Sequence, residues 1–370
     1  MLILNYVFAV IILIAVGILY QKYLEKQATN PINLRDTHED LRKYLLDDSS
    51  LVDGTKKPIL WLHVPYEYNS RNWSSFGSRS SVDLNQPYLH LTVKTIITNC
   101  DESFKICIID DNSFEKLIPD WTINMKTIAD PILSNMRQLG LAKIVHAYGG
   151  MVVPISFLCF KDMIELYNTG TSGDKMFMCE NIDCNITATS NLFYPSGRFF
   201  GAKKENEILA QYIDFMQRTM STDFTGQSKF LGDFDRWVNT RINNKQLRLI
   251  DGNYVGTKTV NNEPVTVETL LSDDYIRFHG KTYGIWIPDC AILKRRSYEW
   301  FSRMCPKQIF ESNFILAKYF VIALAPDSKM GVIEPMENQA NWIGFWKVPS
   351  GINVWGPMPN NLGNNVPRAR

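Results

Sequence analysis

The sequence predicts an α/β fold in which a mostly parallel sheet, flanked by helices, follows one N-terminal transmembrane helix. Three observations carry this expectation. Apolar β-type runs alternate along the chain with segments whose apolar residues recur at helical spacing, the pattern that lays helices on the faces of a parallel sheet. The helix opened by Asp130-Pro131 and closed at Gly149 passes straight into the apolar run Met151-Val152-Val153. At the amino end, Leu2 to Tyr20, LILNYVFAVIILIAVGILY, carries no charge and is long enough to cross a hydrocarbon core as a helix.

With 370 residues, 45% of them hydrophobic, the chain can bury a sizeable core and lacks the composition of a disordered protein. Its 39 basic residues balance 38 acidic ones, which excludes a global field that recruits nucleic acid, so no nucleic-acid partner is expected. The seven cysteines, at 100, 107, 159, 179, 184, 290 and 305, are odd in number, and several lie inside apolar runs such as Lys105-Ile106-Cys107-Ile108-Ile109. That usage fits buried, reduced thiols better than a disulfide framework. Cys179 and Cys184 have neither the spacing nor the nearby histidines of a zinc site, and no metal ligand is assigned.

Residues 1-20 read as an uncleaved transmembrane anchor contacting the lipid bilayer through 2-20, because no basic residue precedes the span and no small-x-small cleavage site follows it. Lys22 and Lys26 just beyond it place the globular part on the cytosolic side by the positive-inside rule, while the sequons Asn72-Trp73-Ser74 and Asn185-Ile186-Thr187 point the other way. Residues 21-57 are a polar stalk with a short amphipathic stretch around Leu41 to Leu46.

The α/β domain is expected over 58-325. Lys57 to Val64 supplies its first central strand, and Tyr88 to Thr98 a helix. Phe104 to Ile109 is a strand stopped by Asp110-Asp111-Asn112, after which Asn112 or Ser113 caps a short helix ending near Pro119. The helix from Asp130 buries Ile132, Met136, Leu139, Ile144 and Ala147 as one stripe. Further strands are expected at Lys175 to Cys179, Asn191 to Tyr194 and Gln246 to Ile250, with a helix over Asn206 to Met220. Tyr275 to Ile287 reads as two short strands joined near Gly280-Lys281, and Lys307 to Ala323 as one helix too short for a second span. Residues 326-370 form an extended arm rich in Pro, Gly and Asn, whose Trp342, Phe345, Trp346 and Trp355 are expected to dock on the domain or on a protein partner.

Met136 to Val153, MRQLGLAKIVHAYGGMVV, together with Phe104 to Asn112 before it and Arg198 to Asn206 after it, resembles the capsular-polysaccharide-synthesis and DXD sugar-binding-region glycosyltransferases. The likeness spans residues 57 to 245 in element order, and its most specific parts are Tyr148-Gly149-Gly150 and Gly201 to Asn206. The resemblance implies the GT-A fold, a nucleotide-sugar donor and a Mn or Mg ion. In that family the helix before the two glycines carries a Ser-Asp pair and, three residues after the Asp, an Arg. Counting back from Tyr148, those places hold Arg137, Gln138 and Leu141. The strand after the glycines ends there in Asp-x-Asp, because two carboxylates are needed to hold a divalent ion on a diphosphate. Here Pro154, Ile155 and Ser156 stand instead.

Two readings follow. In the first, the chain is a membrane-anchored glycosyltransferase-like protein that has lost catalysis and expects no cofactor. It then serves a structural or interaction role, as in large DNA viruses whose particles carry a virion membrane under a capsid. In the second, it is an active glycosyltransferase with a non-standard acidic site. Asp110 and Asp111, at the C-terminal end of a central strand, are then the cofactor-binding candidates, and strand-ending turn residues are the plainer account of them. Asp233 and Asp235 are the catalytic candidates, with helix capping as the plainer account, while Lys203 or Lys204 would meet phosphates. His63 and His146 read as structural or solvent-facing. A membrane-tethered glycan-binding module without catalysis is a third possibility.

Overall fold

The computed structural model describes residues 57–65, 86–182, 192–223, 227–294 and 298–329, all of them in one compact unit, Leu46–Arg370. The expected anchor at 2-20, the stalk up to residue 56 and the tryptophan-bearing arm from 330 onward lie outside the described residues. Among the described residues no helix is long and apolar enough to cross a membrane.

The first half of the domain runs β1 (Ile59–His63), α1 (Pro87–Cys100), β2 (Lys105–Ile109), α2 (Ser113–Leu117), α3 (Ile132–Tyr148), β3 (Gly150–Val153), β4 (Phe157–Cys159) and α4 (Ile164–Gly170). It continues with β5 (Phe177–Ile182), β6 (Phe193–Ala202), α5 (Glu207–Thr222), α6 (Gln227–Leu231), α7 (Asp233–Asn243), β7 (Arg248–Ile250), α8 (Gly252–Val255) and α9 (Val267–Leu270). Strand β8 (Gly284–Trp286) is followed by α10 (Asp289–Lys294), α11 (Glu299–Ser302), α12 (Pro306–Phe310) and α13 (Ile315–Lys329).

Six strands form one mixed sheet in the order β2-β1-β3-β6-β5-β7. It is mostly parallel: β1 pairs in parallel with β2 and β3, and β5 with β7, while β6 runs antiparallel to both its neighbours. Leu60, Trp61 and Leu62 are all fully buried, so β1 is covered on both faces, as expected of a strand reached by helical crossovers. One apolar cluster joins Trp61, Val152 and Phe200 of the sheet to Leu139, Ile144 and Val145 of α3 and to Tyr212 of α5. A second joins Tyr88 and Leu91 of α1 to Leu158 and Ile285 of the small β4–β8 sheet, to Phe301 and Phe320 of the C-terminal helices and to Phe314 just before α13.

Several local expectations are corrected. The first turn of α2 is satisfied by Asp110, whose Oδ1 accepts from Ser113 N at 2.9 Å, while the Asn112 side chain caps nothing. Helix α3 buries Asn135, Leu139 to Ala142, Ile144 and Val145, whereas Ile132, Met136 and Ala147 are only half-buried. A single stripe fails because α3 packs against both the sheet and α5. The strand expected at 191 to 194 extends to Ala202 and carries a bulge: Met178 faces Phe200 but Cys179 faces Ser196, leaving residues 197–199 unpaired on that side. Tyr275 to Ile287 is no hairpin. Val260 N bonds Arg277 O and Tyr283 N bonds Tyr254 O of α8, so both arms are tied to the chain before them and only 284–286 forms a strand, against β4. The helix expected over Lys307 to Ala323 is split into α12 and α13, and where the second begins Ile315 N bonds Ser272 O instead of a carbonyl of the preceding turn.

The Gly201 to Asn206 segment ends β6 and starts α5. Asn206 Oδ1 accepts from Leu209 N at 3.0 Å, and its Nδ2 donates to Asp174 O at 2.7 Å. Asn206→Ala removes both bonds and is expected to lower stability by about 1 to 2 kcal/mol, read as a drop in the urea midpoint with an unchanged slope.

Candidate functional site

The parallel strands β1, β2 and β3 end on one edge, the position where open α/β sheets bind ligands. What stands at that edge is set by the turn after β3. Pro154 O accepts from Phe157 N, Ile155 O from Thr92 Oγ1 and Ser156 O from Ile287 N. The three carbonyls therefore close onto the following strand, α1 and β8. Ile155 is 8% exposed and Ser156 not at all. No metal ligand is presented here, because the side chains are apolar or sealed and the carbonyl groups are engaged.

The acidic candidates are engaged elsewhere. Asp110 accepts from Ser113 N, from Ser113 Oγ at 2.6 Å and from Asn112 Nδ2 at 2.7 Å. Burial raises its carboxyl, but these hydrogen bonds outweigh it and hold the group below the usual range. Asp111 is gripped by Arg137, with Nε at 3.0 Å from Oδ1 and Nη2 at 2.7 Å from Oδ2, and by His63 Nε2 at 2.9 Å. Burial again works against the charge, and the bonds from His63 and Arg137 overcome it, lowering the carboxyl to about 2. His63 lies stacked on Phe114 with ring centroids 5.3 Å apart, so the trio ties the ends of β1 and β2 to α3.

Asp233 and Asp235 occupy the first turn of α7 behind Gly232, and Asp233 pairs with Arg236 one turn on. Asp235 acts on the hydroxyl of Tyr212, in α5. Among the described residues no three His, Cys, Asp or Glu side chains form a group able to hold a metal ion. The structure thus does not bring the two aspartate pairs into one site. Gln138, at a place where the resemblance implies an aspartate, donates to Tyr212 Oη at 2.8 Å and joins α3 to α5, while Leu141 is buried. Lys203 and Lys204 are exposed beside Asp174 and Glu205. His146 is half-buried, and its carbonyl accepts from Glu205 N.

A polar cluster that the sequence did not reveal lies beside the β3 end. Val152 faces Phe200, so the bulge of β6 that carries Arg198 sits just past that end. Arg198 forms a two-pronged pair with Asp289, Nη1 to Oδ1 at 2.9 Å and Nη2 to Oδ2 at 2.5 Å. Burial works against the charge on Asp289, but Arg198 overrides it and keeps the carboxyl below its ordinary value. Cys290 Sγ accepts from Arg198 Nη1 at 3.0 Å, and the guanidinium lies 5.9 Å from the Trp286 ring centre. The one sequence signal was a lone charge in the apolar run Arg198-Phe199-Phe200. Its partner, on the far side of a long connection, left no periodic trace. No protein-family profile matches the chain, and no curated protein matches it in sequence.

Proposed function

We propose that this chain is a membrane-anchored protein built on a glycosyltransferase-like GT-A scaffold and serving a structural or interaction role without metal-dependent sugar transfer. A viral particle, between membrane and capsid, is the setting we assign to it. One observation carries this reading. Where the resemblance implies two carboxylates on a metal-bound diphosphate, β3 ends in a sealed Pro154-Ile155-Ser156 turn, and the adjoining carboxylate, Asp289, is locked onto Arg198. A divalent ion needs oxygen ligands turned toward an open position, and this residue set does not fit one. Asp110 and Asp111 add support, because each already accepts at least three hydrogen bonds from neighbouring protein groups.

The full chain in detergent, heated with millimolar UDP- and GDP-sugars and manganese, is expected to melt at an unchanged temperature. A donor present at a hundred times its dissociation constant stabilises a folded protein by about 2.7 kcal/mol, which is easily read. A clear upward shift accompanied by release of free sugar or nucleotide would overturn the proposal.

A further inference from the structure

Helix α13 turns Leu316, Ala317, Phe320 and Leu324 into the second apolar cluster. The outward face of such a helix is ordinarily polar. Here Ile322 is 65% exposed and Val321 43%, and both adjoin the exposed Lys318, because residues three and four apart share a helix face. The apolar surface continues past the helix. Tyr319 adjoins Ile322 on the same grounds, burial raises its hydroxyl to about 12, and nearby Tyr275, 78% exposed, adds to the rise. The loop that carries Tyr275 is fastened to α13 twice, by Ile315 N on Ser272 O and by Tyr319 Oη, which donates to Ile276 O at 3.0 Å. Tyr275, Val321 and Ile322 therefore stand on a held platform, open to solvent.

Grouped apolar side chains on the surface of a folded domain mark a place where something binds. The chain itself supplies an occupant, for it runs on from the end of this same helix through residues 330–370. The densest apolar run of that arm is Trp342-Ile343-Gly344-Phe345-Trp346. Trp342 comes 13 residues after Lys329, the last residue of α13, and a stretch of that length reaches at most about 45 Å. Ile322 lies only about 10 Å back along the helix from Lys329. The run can therefore return to the face with chain to spare. A segment tethered in this way meets the face at an effective concentration of about a millimolar, which a second copy in dilute solution does not match. Charge agrees with the same occupant: Glu337 precedes the run and Lys347 follows it, and the platform offers one exposed charge of each sign, Lys318 on the helix and Asp274 beside Tyr275. The exposed acids Asp273 and Asp274 also set this face against an anionic bilayer.

We propose that Trp342 to Trp346 of the same chain docks on the platform formed by Tyr275, Val321 and Ile322. Aromatic rings bury large apolar areas and supply most of the energy of such contacts. Docking folds the arm back over the helix it leaves and covers the exposed apolar side chains of α13. The assignment stands whether or not the scaffold transfers sugars.

In the test, the full chain carries p-benzoylphenylalanine in place of Ile322 and sits in nanodiscs of phosphatidylcholine and phosphatidylserine. It is irradiated, and its crosslinks are mapped by peptide mass analysis. A crosslink from position 322 to the segment 338–348 is expected, in a product of monomer mass. The same group in place of Lys318 is expected to give the same partner, so that one badly aimed ring does not decide the result. Combining Trp342→Ala with Trp346→Ala is expected to lower the yield at least about fivefold, since truncating a buried tryptophan weakens docking by about tenfold or more. Circular dichroism confirms that each variant is folded. Crosslinks from both positions to lipid, to a second copy or to another part of the chain overturn the proposal. So does the absence of any protein crosslink, or a yield unchanged in the tryptophan variant.

Discussion

Gly150→Ala is expected to destabilise the protein by more than about 3 kcal/mol and to leave most of the chain unfolded or aggregated on expression. Gly150 opens β3 at φ 104°, a conformation that residues with a Cβ rarely adopt. A Cβ built there would stand 2.1 Å from Ile59 O, at the first residue of β1. That oxygen is backbone of a central strand whose next residue, Leu60, pairs with Met151, so it cannot withdraw without breaking the β1–β3 register. Gly149 beside it also has positive φ, 76°, and a Cβ there would meet Lys204 N at 2.9 Å. Its carbonyl accepts from Trp61 Nε1 at 2.9 Å, which fixes the turn against the fully buried indole. Denaturant unfolding of the purified variant checks the expectation, and a midpoint within error of wild type would refute this account of the turn.

The second large effect is expected at Asp111. Its carboxylate is 15% exposed and pairs with an Arg137 side chain that is 11% exposed. Asp111→Ala therefore leaves a guanidinium short of its carboxylate in a largely dry place, at a cost of about 3 to 5 kcal/mol. The same pair gives stability a pH dependence with a definite sign. Asp111 titrates at about 2 when folded, below the unfolded carboxyl near 3.9. Its contribution, about 2 to 3 kcal/mol, is therefore present above about pH 4 and is lost as pH falls toward 2. Stability measured between these values in wild type and in Asp111→Asn should differ in slope, and parallel curves would exclude Asp111 as the origin.

Much of the fold was legible in the sequence because its signals are local. β1, β2 and β3 are short apolar runs ended by turn residues, and the helix before Gly149 carries a recognisable stop. Strand β4 was missed because three residues, Phe157 to Cys159, are too few to show a period and adopt their conformation only against β8. The hairpin expected over 275 to 287 failed for the same reason in reverse, since its backbone groups found non-local partners. At the candidate site, Pro154-Ile155-Ser156 could be read directly. Arg198, Asp289 and Tyr88 could not, for they come from three distant segments that meet only in three dimensions. Asp110 and Asp111 were visible as acids, but the sequence could not say that Ser113, His63 and Arg137 had already claimed them.

The pairing of β4 with β8 also governs when the protein can finish folding. Phe157, Leu158 and Cys159 leave the ribosome long before their partners Trp286, Ile285 and Gly284. Until those arrive, three side chains that end with no exposed surface lie along an unmatched strand edge. A nascent chain paused between the two segments, or a fragment truncated before Gly284, holds a sticky ribbon that can join another copy in place of its own late strand. Chaperone demand during synthesis should therefore fall sharply once residue 286 has emerged.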